Sequence, residues 1–197
     1  MEKTVTTEAE AFQEFNKFLD DLKLCRKCLL EPRFIDYPKF RFRPIIAFVG
    51  HSPSLYRKES GLIFGGRSRE VFEKLLECLN LKREDVYGTN LIKCTQPETK
   101  TGELKHCSQY IWRELRIIQP WTVVLMGREV LSEVVGPVSY YKPYIKNGFT
   151  FVGFMHPCAV LYGTVTLDTY LNYARRILKP YVEKRPTKLD DYFRRRL

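Results

Sequence analysis

The stretch PIIAFVGHSPS, residues 44–54, decides the fold of this chain. Its first seven residues are apolar and rich in β-branched side chains, as in a strand that is buried on both faces. The polar, turn-forming residues HSPS follow directly after Gly50. Because ligands of open α/β sheets bind outside the carboxyl ends of the strands, we expect this junction to border a site.

Apolar spacing predicts alternating helices and strands on both sides of this stretch. Upstream, apolar residues recur at three- and four-residue steps over 8–24, which predicts an amphipathic helix. Downstream, Ser68 is placed to cap a helix whose apolar face runs to Leu79. The later segments are strand VYGTNLI (86–92), helix SQYIWRELRII (108–118), strand WTVVLMG (121–127), helix REVLSEVVG (128–136), strand FTFVGFM (149–155) and a helix over about 165–182. This order predicts an α/β fold, a three-layer α/β/α sandwich around a central, mostly parallel four-stranded sheet.

Composition and charge limit the classes of protein to consider. With 197 residues, 44% of them hydrophobic and 28% charged, the chain is ordinary for one globular domain, which we place at 1–182 before a basic, flexible tail at 183–197. The formal net charge of +10 suits a polyanion such as nucleic acid, or an acidic membrane surface. No segment approaches the roughly 18 apolar residues of a membrane span, and the N-terminus is unlike a signal peptide. We expect a soluble, intracellular protein without a membrane partner.

Polar residues gather where the predicted strands end. Gly50 and His51 follow the first strand, Asn90 lies near the end of the second, and His156 follows the last. Turns after strands are commonly polar and glycine-rich, so any one of these residues has an ordinary structural explanation. Together they predict one pocket at the carboxyl edge of the sheet.

The chain has six cysteines, and four of them need another explanation than a disulfide framework. They are Cys25 and Cys28, in a Cys-x-x-Cys pair, and the more distant Cys94 and Cys107. Structural disulfides are rare in a reducing cytosol, so we expect free thiolates. Four thiolates can hold zinc or an iron–sulfur cluster, and spacing alone does not separate the two.

Several segments resemble the iron–sulfur uracil-DNA glycosylases of families 4 and 5. The resemblance covers about residues 22–180 and rests on GHSPS…GLIFGG (50–66), TNLIKC (89–94) and MHPCAVL (155–161), with the upstream cysteine pair. Family 4 has a G-E-A-P-G shelf, a G-x-P-F-V-G loop, an N-x-x-K-C segment and a T-x-H-P-A segment in this order. The chain resembles a divergent member, because His51 stands where family 4 has its motif Glu, and Arg57 and Lys58 where it has a Glu-Asp pair.

The resemblance implies an enzyme that hydrolyses the N-glycosidic bond of uracil, and of other deaminated bases, in DNA. In such a pocket Gly50 is one of the base-binding residues, and Phe64 stacks on the flipped base. The amide of Asn90 can meet both N3–H and O4 of uracil, whereas cytosine presents the reverse pattern. His156 would stabilise the negative charge on the departing base. His51 either replaces the motif Glu as a neutral base or has no catalytic role.

The resemblance also bears on the cysteines. It implies that Cys25, Cys28, Cys94 and Cys107 hold a 4Fe–4S cluster with a structural role, with zinc as the alternative. An alternative function remains for the whole chain: a non-catalytic DNA-binding module of the same fold that recognises deaminated or single-stranded DNA. Loss of the motif Glu favours that alternative, and Phe64, Asn90 and His156 favour the enzyme.

The tail carries a second resemblance. Leu189, Tyr192 and Phe193 are spaced as in the box by which proteins dock on the sliding clamp PCNA, with Pro186 where that box usually has Gln. The alternative is a basic tail with a chance aromatic pair. A clamp ligand would indicate an archaeal or eukaryote-like replication setting, and we expect a cytoplasmic, nucleoid-associated monomer.

Overall fold

A computed structural model describes residues 7–26, 39–53, 63–64, 66–94 and 102–183 of the chain. The helices in these ranges are α1 (Glu8–Lys23), α2 (Arg69–Cys78), α3 (Gly102–Ile118), α4 (Arg128–Val134), α5 (Cys158–Leu161), α6 (Leu167–Ile177) and α7 (Lys179–Glu183). The strands are β1 (Ile46–Gly50), β2 (Val86–Asn90), β3 (Thr122–Met126), β4 (Pro143–Lys146) and β5 (Phe149–Phe154). None of the helices in the described ranges is long and apolar enough to cross a bilayer.

The five strands form one mixed sheet in the order β2-β1-β3-β5-β4. β1 pairs in parallel with β2 and β3, and β3 pairs in parallel with β5. The predicted α/β sandwich with a mostly parallel sheet is therefore confirmed. This order brings the carboxyl ends of β2, β1, β3 and β5 to one edge.

The sheet is covered on both faces, and β1 shows why. Its five residues are all buried. Ala47 and Val49 belong to a core shared with α1, α3 and α4, while Ile46 and Phe48 belong to a core shared with α2 and α6. Alternate side chains of a strand point to opposite faces, so an apolar strand supplies both cores. Each fully buried side chain of this size contributes roughly 1.5–3 kcal/mol relative to its exposed state.

α1 begins and packs as its sequence predicts. Thr7 and Glu10 form a capping box, with both backbone-to-side-chain hydrogen bonds at 3.2 Å. The buried residues Phe15 and Phe18 face the core that α1 shares with α3. The predicted helix over 8–24 is confirmed to within one residue, and it delivers Cys25 to the α3 side of the sheet.

The predicted count of four strands was wrong, because β4 pairs antiparallel with β5 at the edge of the sheet. β4 has the sequence PYIK and is mostly exposed, so it lacks the apolar run of a buried strand. The signal that could have revealed it is the turn Asn147-Gly148, in which both residues have positive φ, at 50° and 77°. Asn-Gly with positive φ at both positions is characteristic of a two-residue β-hairpin.

Two details of the predicted helices also differ. The helix predicted over 165–182 is divided at Leu178 into α6 and α7, because the ring of Pro180 clashes with a continuous helix. Ser68 precedes α2 but makes no side-chain capping bond. Burial raises the pKa of the Cys158 thiol and the Ser68 side chain lowers it, so Ser68 faces Cys158 instead.

Candidate active site at the carboxyl edge of the sheet

Gly50 and Asn90 lie side by side at the ends of β1 and β2. They are register partners in the parallel ladder. A Cβ atom built on Gly50 would come within 2.5 Å of the Asn90 Oδ1 atom and 3.5 Å of the Phe64 ring. Only glycine therefore allows the Asn90 amide and the Phe64 ring to approach the backbone this closely.

Phe64 is held by its own neighbours in an uncommon backbone conformation. Its φ of 53° lies in the left-handed region, which costs a non-glycine residue roughly 1–3 kcal/mol. The Phe64 ring packs on Phe72 at a centroid distance of 4.6 Å, and Arg83 Nη1 donates to the preceding Ile63 carbonyl oxygen at 2.7 Å. Gly88 of β2 makes room for Ile63, because a Cβ atom there would lie 2.0 Å from Ile63 Cγ2.

His156 lies against the same aromatic ring. Its imidazole packs edge-on to Phe64 at a centroid distance of 5.1 Å and an angle of 70°. Its Nδ1 atom accepts a hydrogen bond from the Cys158 backbone N–H at 3.1 Å. Burial, and then the neighbouring His51, lower the pKa of His156 from 6.5 to about 4. His156 is therefore neutral near pH 7, with its proton on Nε2.

His51 faces a residue that sequence reasoning missed. Its Nε2 atom lies 3.3 Å from Glu129 Oε2, and its Nδ1 atom lies 3.4 Å from Ser52 Oγ. Burial and then His51 lower the pKa of His156, so the two imidazoles lie near each other. Glu129 comes from the first turn of α4, and no motif in the sequence marked it.

A buried ion pair below the pocket was also missed. Lys93 Nζ donates to Glu114 Oε2 at 2.5 Å, to the Asn90 carbonyl oxygen at 2.6 Å and to Thr89 Oγ1 at 2.9 Å. The other carboxylate oxygen of Glu114 accepts from the Tyr87 hydroxyl at 2.6 Å. Lys93 and Glu114 are 3% and 0% exposed, so this buried network ties the end of β2 to α3.

The structure brings the five predicted pocket residues to one edge of the sheet: Gly50, His51, Phe64, Asn90 and His156. This arrangement places a neutral imidazole N–H donor, an amide and an aromatic ring around one space. Such a set can hold a planar heterocycle and stabilise negative charge that develops on it. The roles of the individual residues remain predictions.

The cysteine ligand set is only partly within the described residues. Cys94 and Cys107 are buried, and the Tyr110 hydroxyl donates to Cys25 Sγ at 3.2 Å. The pKa of Tyr110 is raised by burial first, then by Cys25 and Cys107, so both thiols lie close to this hydroxyl. In the part of the chain that the structure describes, no three His, Cys, Asp or Glu residues form a group that could hold a metal. Cys28 lies outside that part.

Other predicted positions also lie outside the described residues. They are Arg57 and Lys58, which follow β1 in the sequence, and the tail residues Leu189, Tyr192 and Phe193.

Comparison with known proteins agrees with the motifs. Relatives named type-4 uracil-DNA glycosylase include one from Archaeoglobus fulgidus, 27% identical over 197 residues that cover 90% of this chain and 98% of that protein. A second, from Saccharolobus solfataricus, is 29% identical over 200 residues and covers 88% of each chain. A third, from Thermotoga maritima, is 28% identical over 143 residues, 71% of this chain and 74% of that protein. The family model described as the uracil DNA glycosylase superfamily matches residues 38–179, so the chain belongs to that superfamily.

Proposed function

We propose that the protein is a DNA glycosylase that hydrolyses the N-glycosidic bond of uracil, and of other deaminated bases, in DNA. The observation that supports this most directly is the convergence of Gly50, Phe64, Asn90 and His156 on one space at the carboxyl edge of the sheet. The relatives named type-4 uracil-DNA glycosylase and the net charge of +10 are in accord with a DNA substrate.

The base is recognised by an amide and a ring in this proposal. Asn90 is 5% exposed, and the absence of a side chain on Gly50 leaves room for its amide at the end of β1. Its amide pairs with N3–H and O4 of uracil, and the same orientation rejects cytosine. Phe64 contributes stacking, worth about 1–3 kcal/mol per base in single-stranded binders.

His156 acts on the leaving base. Cleavage of the glycosidic bond leaves negative charge on the base oxygen, and an N–H donor fixed in place beforehand stabilises it mainly in the transition state. The hydrogen bond from the Cys158 N–H occupies Nδ1, which leaves Nε2–H as the donor. A neutral imidazole suits this task because it carries no charge that would have to be desolvated before the reaction.

The alternative is a non-catalytic module that binds deaminated or single-stranded DNA. The specific observation in its favour is His51 at the position of the family 4 motif Glu. The two functions are separated by incubating the protein with oligonucleotides that contain uracil, hypoxanthine or a T·G mismatch, followed by alkaline cleavage. Strand breaks above those in buffer are expected for uracil. No break on any substrate, together with retained DNA binding, would establish the module instead.

The proposed site residues are tested by separating base release from DNA binding. His156→Ala and Asn90→Ala should lower the single-turnover rate by roughly 100-fold while changing the Kd for uracil-containing DNA little. Asn172→Ala is a matched control, because Asn172 is exposed on α6 and bonds only Arg175 in the described contacts. Equal losses in rate and in binding would identify the two residues as structural.

We also propose that Cys25, Cys28, Cys94 and Cys107 hold a 4Fe–4S cluster. The proximity of Cys25 and Cys107 to one tyrosine hydroxyl, across the packed pair α1 and α3, supports a shared site. When bound, the cluster would cross-link the N-terminal helix to the loop after β2. The purified protein should be brown and contain iron, and Cys94→Ala or Cys107→Ala should lose it, while Cys78→Ala should not. Zinc in place of iron would show that the four cysteines form a zinc site instead.

The tail carries a proposed tether. Leu189, Tyr192 and Phe193 would fill a hydrophobic pocket on a sliding clamp and raise the local concentration of enzyme at DNA. Deletion of 186–197 should leave cleavage of a short oligonucleotide nearly unchanged and abolish co-elution with the cognate clamp. Identical calorimetric titrations for the full chain and for Tyr192→Ala/Phe193→Ala would reassign the tail as a DNA-contacting extension.

A further inference from the structure

The residue at the motif Glu position has a carboxylate partner on a neighbouring element. His51 Nε2 lies 3.3 Å from Glu129 Oε2. Among the residues that the structure describes, His51 is the only ion-pair partner of Glu129. The Glu129 side chain is 74% exposed, whereas His51 is only 26% exposed. An exposed carboxylate thus reaches inward to a half-buried imidazole at the edge of the pocket.

The sheet order explains how the two residues meet. β1 and β3 are neighbours, and their carboxyl ends point the same way. His51 follows β1 directly, and Gly127 turns the chain after β3 into α4, where Glu129 occupies the first turn. Gly127 has a φ of 110°, a conformation that suits glycine. Both side chains therefore come from the carboxyl edge of the sheet.

A carboxylate on one nitrogen of an imidazole determines what the other nitrogen can do. If Glu129 accepts the Nε2–H of His51, the lone pair of the neutral ring is on Nδ1. The 3.4 Å separation between Nδ1 and the Ser52 hydroxyl is long for a hydrogen bond, so Nδ1 can accept from a water. The charged or titratable groups that face His51 in the described contacts are Glu129, from α4, and His156, which follows β5.

We propose that Glu129 is a positioning residue that holds the His51 proton on Nε2, so that Nδ1 serves as the base for the attacking water. The pair His51–Glu129 thereby takes the place of a single carboxylate at the motif position. This inference rests on the proposed glycosylase function, and it assigns Glu129 a role through His51 alone.

The step balances as a hydrolysis. The water oxygen bonds to C1′ of the deoxyribose while the C1′–N1 bond breaks, and the bonding electron pair leaves on the base. One proton of the water passes to Nδ1 of His51, and the carboxylate of Glu129 stabilises the imidazolium that results. His156 donates its Nε2–H to the base oxygen on which the negative charge develops, so one histidine acts on the water and the other on the leaving base.

The first test compares two carboxylates of the same helix. Glu129→Ala should lower the single-turnover rate of uracil release by about fivefold with little change in DNA affinity, since only the orientation of a general base is lost. The matched control is Glu133→Ala, which removes the same charge from the next turn of α4 and should change the rate less than twofold. Equal effects of both variants would mark a general electrostatic contribution and overturn the proposal.

The second test removes the need for Glu129. With His51→Glu the motif position carries its own carboxylate, so Glu129→Ala in that background should leave the rate unchanged or raise it, because two neighbouring carboxylates repel. A fivefold loss in both backgrounds would show that Glu129 acts independently of His51.

The third test does not depend on activity. The chain has three histidines, so ¹⁵N NMR at pH 8 can identify the signals of His51 by their absence in His51→Gln. In the native chain Nε2 should appear protonated and Nδ1 unprotonated, and Glu129→Ala should mix the two tautomers. An unchanged tautomer in Glu129→Ala would overturn the inference. If the native chain releases no uracil, the proposed function fails, and this measurement still decides the role of Glu129.

Discussion

The buried ion pair Lys93–Glu114 makes the sharpest prediction for stability. Lys93→Met removes the only charged partner that the described contacts give Glu114 and leaves the Tyr87 hydroxyl as a neutral donor to a carboxylate that is 0% exposed. Removing one partner of a buried pair costs roughly 3–5 kcal/mol, because the remaining charge stays in a low-dielectric environment. A domain of this size is stable by about 5–15 kcal/mol, so the variant should lose a large fraction of its stability.

The measurement is urea denaturation at 25 °C with the slope of the transition compared between variants. Lys93→Met should lower the free energy of unfolding by roughly 3–5 kcal/mol, and Lys93→Met/Glu114→Gln should recover at least half of the loss, because no unpaired charge remains. Lys17→Met is the matched control: it breaks a pair with Glu14 in which both side chains are largely exposed, and it should change stability little.

Two results would refute this reasoning. A loss below about 1 kcal/mol in Lys93→Met would mean that water reaches the carboxylate of Glu114. A double variant as unstable as the single one would mean that the bonds from Lys93 to Thr89 and Asn90, not its charge, supply the stability. If Lys93→Met does not fold at all, Glu114→Gln tests the same pair from the other side.

Three further predictions concern the pocket. Burial, and then His51, lower the pKa of His156 to about 4 in the folded chain, so the unfolded chain binds an extra proton between pH 4 and 6.5 and stability falls as the pH drops through this window. From pH 7 to pH 4 the native chain should lose roughly 3 kcal/mol more than His156→Gln in urea denaturation; parallel losses would contradict this. Gly50→Ala should displace the Asn90 amide and lower the single-turnover rate of uracil release by roughly 100-fold, with circular dichroism unchanged. Gly88→Ala should push Ile63 aside and cost about 1–3 kcal/mol in thermal or urea unfolding, and an unchanged transition would show that the loop yields freely.

Apolar patterns in the sequence predicted the strands and helices that such patterns are sufficient to determine. The apolar run before Gly50 predicts a strand buried on both faces, and both faces are covered. β4 escaped prediction because an exposed edge strand needs only a partner and a turn, not an apolar pattern. The helix predicted to continue through Leu178 broke because Pro180 outweighs amphipathic spacing.

Some residues of the candidate site could likewise be predicted from the sequence, and others could not. Gly50 and Asn90 end strands and His156 follows one, so their meeting at one edge could be predicted from the alternation of strands and helices. Glu129 could not, because its contact with His51 depends on β1 and β3 being neighbours, which the order along the chain does not reveal. Glu114 is likewise paired across 21 positions of sequence, and a lone Glu in an amphipathic helix ordinarily faces solvent.

A main-chain N–H that occupies Nδ1 keeps the proton of His156 on Nε2, and this has an evolutionary consequence. The donor to Nδ1 is the backbone N–H of Cys158, which every amino acid except proline supplies. Mutation at codon 158 can therefore change the side chain freely without moving that proton, and only a change to proline would release it. His51 is the opposite case, because its partner is a side chain that almost any substitution of Glu129 removes. Among descendants of this chain, the environment of His156 should persist through sequence drift, while the surroundings of His51 are where lineages diverge.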